Sequence, residues 1–330
     1  MTIDESKYNA PRIMVVLPHP DDESYTVVGT LLKLKREIKP DPEIVLLCAT
    51  AGESGIPEGR TPDIRRHEME HVTQLLGAQL GMLGFRNGGM AGLMGRVGGR
   101  VWINENDFGV YISRIEKHDP VVEELCRAYE KLFMPVPPTL NHHSPKCPLT
   151  PLEARIVEHI RDFRPDVIIG MEPYGVTGHN EHIMVAHATT SAYLQASDEK
   201  CFPGQKGSGL APHATPRLFY SVFDCEREGM PEVWKGLLKK YARRRASVNL
   251  PVLDPVLSVD LSDYTEEKWK LIKCHASQMR PREKYLDKAG KDERKKLLGI
   301  EQFFLAHSRP ESECRVHPAL ENTIFGTSMN

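Results

Sequence analysis

The chain has no apolar run approaching the roughly 18 residues that a membrane-spanning helix needs, so membrane insertion is not expected. It also lacks a charge imbalance. A net charge of −2 over 330 residues supplies no field that would recruit nucleic acid or an anionic surface. The basic stretches Lys239–Arg245 and Arg294–Lys296 are local and read as solvated helix faces. Seven cysteines (Cys48, Cys126, Cys147, Cys201, Cys225, Cys274, Cys314) are scattered, odd in number and never form a CxxC pair. That spacing argues against a disulfide framework or a cysteine-zinc site and suits the reduced thiols of a cytoplasmic protein. The opening MTIDESKYNAPR is polar and acidic, without a secretory hydrophobic core. There are no internal repeats and no low-complexity tract. No GxGxxG follows the first apolar run, which argues against a dinucleotide-binding protein.

What is present is an α/β rhythm. Residues 12–18 are continuously apolar and β-branched, as a buried strand requires. Thr26–Ile38, with Val27, Val28, Leu31, Leu32, Leu34 and Ile38, has the spacing of an amphipathic helix. A strand is predicted at Ile44–Ala49, a helix opened by Thr61-Pro62 and running to Leu76, and a strand near Leu80–Phe85. Thr150-Pro151-Leu152-Glu153 has the form of a capping box, followed by Ile156, Val157, Ile160 and Phe163 on one helix face. Asp166–Gly170 and Leu218–Phe223 are further buried strands, and residues 200–216 read as a loop. The alternation predicts a mostly parallel sheet with helices on both faces, in which ligands bind at the carboxyl ends of strands. Residues 88–149, rich in glycine and then in proline, interrupt the rhythm and read as an insertion or lid. Residues 224–330 read as a mainly helical C-terminal extension of one domain covering 1–330.

The first strand runs into "LPHPDDESY" (17–25), which crowds His19, Asp21, Asp22 and Glu23 into one turn. Carboxylates so close repel one another unless a positive charge is expected. A histidine fixed by the strand end and an aspartate three residues later can present two ligands to one cation, leaving Asp21 for another role. A catalytic metal usually takes a third protein ligand. The segment after the strand at 166–170, "GMEPYGVTGHNEHIMVAH", offers His179 and His182 three apart at a helix entrance, on one face. Two histidines and a carboxylate suit zinc or iron. His142, His143 and Cys147 resemble ligands in isolation but have no matching partners.

"HPDDES" followed by "GVTGHNEH" closely resembles the LmbE-like (PIG-L) family of zinc-dependent de-N-acetylases. "RRHEMEHVTQLLG", "LGFRNGGM" and "KWKLIKCHASQ" resemble three further family segments. The resemblance implies a Rossmann-like, LmbE-like fold and metal-dependent hydrolysis of an N-acetyl group from an N-acetylglucosamine-type amino sugar or glycoconjugate. It implies His19, Asp22 and His182 as metal ligands, Asp21 as general base, and His179 as oxyanion stabiliser or acid. Arg65 and Asn87 would meet the substrate. Glu23 would accept a hydrogen bond from a ligand histidine or favour a helix N-terminus, and Glu181 would orient His179.

Three departures bear on substrate. The family's His-Pro-Asp-His is here His179-Asn180-Glu181-His182, its sugar-contacting Asp is Asn87, and Thr177 stands where some thiol-sugar deacetylases carry Tyr. Two alternatives stand beside the deacetylase: a related amidase acting on another acyl group in natural-product or thiol-conjugate metabolism, and a sugar-binding module without catalysis. The retained Asp21 argues against the binding module. The sequence leaves the aglycone and any homo-oligomer open.

Overall fold

A computed structural model describes residues 10–55, 63–85, 87, 99–103, 110–114, 150–223, 232–247, 253 and 257–326. The first apolar run becomes β1 (Arg12–Leu17), followed by a four-residue helix α1 (Glu23–Thr26) and α2 (Val28–Glu37). The single helix predicted over 26–38 is thus interrupted at Val27, whose φ of −151° is not helical. Then come β2 (Glu43–Thr50), α3 (Ile64–Leu76) and β3 (Gln79–Phe85). The strands β4 (Gly99–Ile103) and β5 (Val110–Arg114) pair as an antiparallel hairpin. The remainder of the expected lid, with His142, His143 and Cys147, lies outside the described residues, as does the Thr61-Pro62 helix start.

The chain resumes with α4 (Thr150–Phe163), β6 (Val167–Met171), α5 (Gly175–Gly178), α6 (Asn180–Gln195), α7 (Pro203–Gly207) and β7 (Arg217–Val222). Last are α8 (Glu232–Ser247), β8 (Leu257–Asp260), α9 (Thr265–Cys274), α10 (Pro281–Lys288), α11 (Lys291–Leu298) and β9 (Ile300–Ser308). The seven-stranded sheet has the order β3-β2-β1-β6-β7-β9-β8. Its first five strands are parallel, and β9 runs antiparallel to both β7 and β8. The fold is α/β and mostly parallel.

Alternation along β1 shows how the layers form. Ile13, Val15 and Leu17 pack with Val28 and Leu31 of α2 and Met69 and Val72 of α3. Met14 and Val16 face the other way, toward Ile156 and Ile160 of α4 and Val185 and Ala188 of α6. Each such buried side chain contributes about 1.5–3 kcal/mol relative to exposure. Because β1 lies between β2 and β6, the chain order reverses across the β1–β6 pair. That switch point opens a crevice at the carboxyl ends of both strands, and both histidine-bearing loops emerge there.

Two features depart from the sequence reading. The residues read as loop at 200–216 contain α7. The C-terminal third, read as mainly helical, also supplies β8 and β9 to the sheet. In β9, Glu301, Phe303 and Leu305 alternate inward, a period of two that the surrounding charged helices obscure. Glu301 is wholly buried, pairs with Lys268 of α9 at 2.8 Å, and accepts the N–H groups of Gly29 (2.9 Å) and Thr30 (2.7 Å). It thereby caps donors that the first turn of α2 leaves without helical partners.

The α4–α6 layer holds a carboxyl with a testable cost. Glu153 is buried, with Gln195 Nε2 donating at 3.4 Å. Burial raises it from 4.5 to about 7, with Ser191 and Gln195 opposing the shift only in part. The folded state therefore holds this proton more tightly than the unfolded chain, so stability is lost as pH rises from 4.5 through about 7. Glu153→Gln is expected to stabilise the protein at pH 8 by on the order of 3 kcal/mol, and much less at pH 4.5. Thermal melts at the two pH values check this.

Candidate metal centre and active site

After β1, the turn at 18–22 orients its side chains through its own hydrogen bonds. The His19 N–H donates to Asp22 Oδ2 at 3.0 Å, and His19 Nδ1 lies 3.2 Å from the same oxygen. Between them Asp21 adopts a φ of 95°, uncommon for a residue with a side chain. Neighbouring carboxylates thereby meet different partners: Asp22 faces the histidines, while Asp21 Oδ1 accepts from Arg65 Nη2 at 2.6 Å.

After β6, Glu172 accepts the N–H groups of Tyr174 (3.0 Å) and Val176 (3.1 Å), which folds the loop back on itself. Gly175, at φ +67°, lies against α6 so closely that a Cβ there would stand 2.5 Å from His182 Cβ. Its carbonyl lies 3.0 Å from His182 Nδ1. His179 precedes α6 with extended backbone and is exposed; His182 sits in the first helical turn and is buried.

The two loops bring donor atoms of His19, Asp22 and His182 within 4.8 Å of one another. His182 Nε2 is 3.4 Å from Asp22 Oδ1. The ring of His179 is 5.0 Å from that of His182 and 5.4 Å from that of His19. Glu181 keeps a carboxylate oxygen within 4.8 Å of donor nitrogens of both His179 and His19. One methylene longer than Asp, its carboxylate reaches His19 Nε2 at 2.5 Å and accepts from Asn87 Nδ2.

This donor set fits a cation. Metal-bound histidines characteristically give their outer N–H to a carboxylate or carbonyl. Here Glu181 stands at His19 Nε2 and the Gly175 carbonyl at His182 Nδ1, which turns His19 Nδ1 and His182 Nε2 toward Asp22. The electrostatics agree. Burial disfavours a charged His19, but Asp22 and Glu181 outweigh it and lift the ring to about 9. Burial pushes His182 down to about 4, leaving it neutral with a lone pair to offer. Asp22 is raised by burial, yet His182 and His19 hold it well below the usual carboxylate range. The cluster is built around positive charge. Desolvation raises Asp21 to about 6, with Arg65 opposing.

Of the two residues expected to meet substrate, Arg65 is buried. Its guanidinium donates to Gly52 O (2.9 Å), Pro20 O (2.5 Å) and Asp21. Gly52 is at φ +66°, and a Cβ there would collide with that guanidinium. Asn87 is likewise engaged: Oδ1 accepts the Ser54 N–H at 2.8 Å, and Nδ2 lies 3.0 Å from His19 Nε2 besides bonding Glu181. Glu23 is wholly buried and meets His275 and the Asp21 N–H rather than a ligand histidine. Glu172, Gly175 and Glu68, which pairs with Ser277 (2.6 and 2.7 Å), carried no signal read from the sequence beyond the similarity of the RRHEMEH and CHASQ segments. No helix among the described residues is long and apolar enough to cross a membrane.

Residues 14–193 match the family model described as GlcNAc-PI de-N-acetylase (PIG-L). Mycothiol S-conjugate amidase of Streptomyces coelicolor is 23% identical over 326 residues, covering 91% of this chain and 93% of that protein. The 1D-myo-inositol 2-acetamido-2-deoxy-alpha-D-glucopyranoside deacetylase of Rhodococcus opacus is 24% identical over 276 residues, 81% of this chain and 82% of that protein. Among solved structures, N,N'-diacetylchitobiose deacetylase from Pyrococcus horikoshii superposes with a TM-score of 0.53 at 16% identity, covering 96% of this chain and 87% of that one. This last likeness is one of fold.

Proposed function

The chain belongs to the PIG-L (GlcNAc-PI de-N-acetylase) family, and from that premise we propose that it is a metal-dependent amidohydrolase removing the acetyl group from an N-acetylglucosamine-type amino sugar or glycoconjugate. The observation that carries this reading is the convergence of His19, Asp22 and His182 beside Asp21 and His179, at the ends of two adjacent strands. We assign the first three as ligands of a zinc ion, with iron the alternative that the same donors accept. A dication held there would polarise an amide carbonyl and acidify water.

Asp21, next to Asp22 in the turn and held by Arg65 through Oδ1, takes the proton of the attacking water as general base. His179, exposed at the mouth of the crevice, donates to the oxygen on which negative charge develops and then protonates the leaving amine. One donor of this kind is worth about 10²–10³ in rate. Arg65 orients Asp21, and Asn87 steadies Glu181, which fixes the tautomer of His19. Recognition of the aglycone is left to residues beyond this cluster.

Incubation with a panel of N-acetylglucosamine conjugates, with and without chelator, tests the reading through released acetate. Metal-dependent release supports it. Release of a different acyl group would favour the amidase alternative, to which the full-length similarity to mycothiol S-conjugate amidase lends support. Bound metal with no hydrolysis of any acyl group would sink both. For Glu181→Gln, weakening the acceptor at His19 is expected to lower metal affinity about 10- to 100-fold, measured by competition with a chromophoric chelator.

A further inference from the structure

Asp21 is held from two sides, and only one of them is its side chain. Its main-chain N–H donates to Glu23 Oε2 at 3.1 Å. The other oxygen of Glu23 accepts from Ser24 Oγ at 2.9 Å and faces His275 Nε2 at 2.7 Å. Glu23 is wholly inaccessible to solvent and His275 is 2% exposed. A carboxylate removed from water this completely needs partners for its lone pairs. The histidine that meets it comes from 252 residues further along the chain.

The contacts close into a ring. His275 follows α9, and Ser277, two residues later, gives its N–H and hydroxyl to Glu68 of α3. Three residues before Glu68 on the same helix, Arg65 reaches back to the Asp21 carboxylate. Gln278 adds a bond from Nε2 to the Gly55 carbonyl at 3.0 Å, in the loop that also contains the Gly52 acceptor of Arg65. The left-handed backbone of Asp21, a conformation costing on the order of 1–3 kcal/mol, sits where this ring begins and ends.

We propose that His275 is a positioning residue for the general base: acting through the Glu23 carboxylate, it fixes the main chain of Asp21, so that the segment 265–278 completes the catalytic turn. The inference rests on the assignment of Asp21 as base. Leucine at this position would fill a similar volume without a donor, whereas glutamine extends an N–H to about where Nε2 stands.

The test compares wild type with His275→Leu and His275→Gln in acetate release, metal content and thermal melting. For His275→Leu the expected result is a kcat lower by about 10- to 100-fold, with KM and metal per chain unchanged. His275→Gln should recover most of the loss. A merely structural role would lower the melting temperature and active fraction of both variants together and would not separate kcat from KM. An unchanged kcat in His275→Leu overturns the inference, and so does a glutamine variant as slow as the leucine one. A loss of kcat in proportion to lost metal overturns it too. A wild type that hydrolyses no conjugate is a different outcome: it defeats the functional assignment itself and the inference with it.

Discussion

Asp21→Asn is expected to lower kcat for acetate release by about 10²–10⁴-fold while the protein keeps its metal. The amide is isosteric with the carboxylate, and its oxygen can still accept from Arg65 Nη2, so the turn retains its anchor. The main-chain bond from residue 21 to Glu23 is untouched. What disappears is a group able to take a proton from water. The wild-type profile should show the same group titrating. Desolvation raises Asp21 to about 6 in the metal-free chain, with Arg65 opposing, and a dication nearby would lower it. A base works only when deprotonated, so activity should fall as pH falls, with its midpoint at or below about 6. Parallel acetate and metal assays decide the matter; a variant that loses metal in step with kcat would show that Asp21 is itself a ligand.

The second large effect concerns the donors. His182→Ala removes the donor contributed by the β6 side of the crevice and leaves the Gly175 carbonyl without its imidazole partner. Hydrolysis should drop toward background, a loss of several kcal/mol of transition-state stabilisation, or about 10³-fold and more. Stability gives a readout independent of turnover. A ligand that binds only the folded state raises stability, by about 4 kcal/mol at a thousandfold excess over Kd. Zinc should therefore raise the melting temperature of the chelator-treated wild type and leave His182→Ala unmoved. A wild type indifferent to both zinc and ferrous iron in both assays would exclude the metal reading.

The parts of this protein legible in its sequence are those encoded locally. Continuous apolar runs at 13–17, 44–49 and 167–170 gave strands, and the turn residues after two of them pointed to one crevice because β-α-β chains place such turns together. Side-chain destinations were less legible. Arg65 and Asn87 have hydrogen-bonding groups suited to a sugar, but Arg65 is held by Pro20, Asp21 and Gly52 and Asn87 by Ser54 and Glu181. Glu181 could be named from its motif, whereas its turn to His19 depends on one methylene and on the packing of α6 against β1. The period of two in β9 was obscured by its charged surroundings, and its buried Glu301–Lys268 pair left no local signal, since a charged residue in a charged region carries no sign that it will be buried.

The ring through His275 and the cap at Glu301 also give this protein a history in time. The turn bearing His19, Asp21 and Asp22 is synthesised well before its partners: Glu23 waits for one 252 residues later, and Gly29 and Thr30 wait for one 272 and 271 residues later. At roughly 5–20 residues per second, that delay runs to tens of seconds. Until then two carboxylate pockets are half-built, and the pairing of β7 with β9 has no strand to receive. Contacts of such long range make the late stage of folding slow. The nascent chain thus carries its chemistry before it has the geometry to use it.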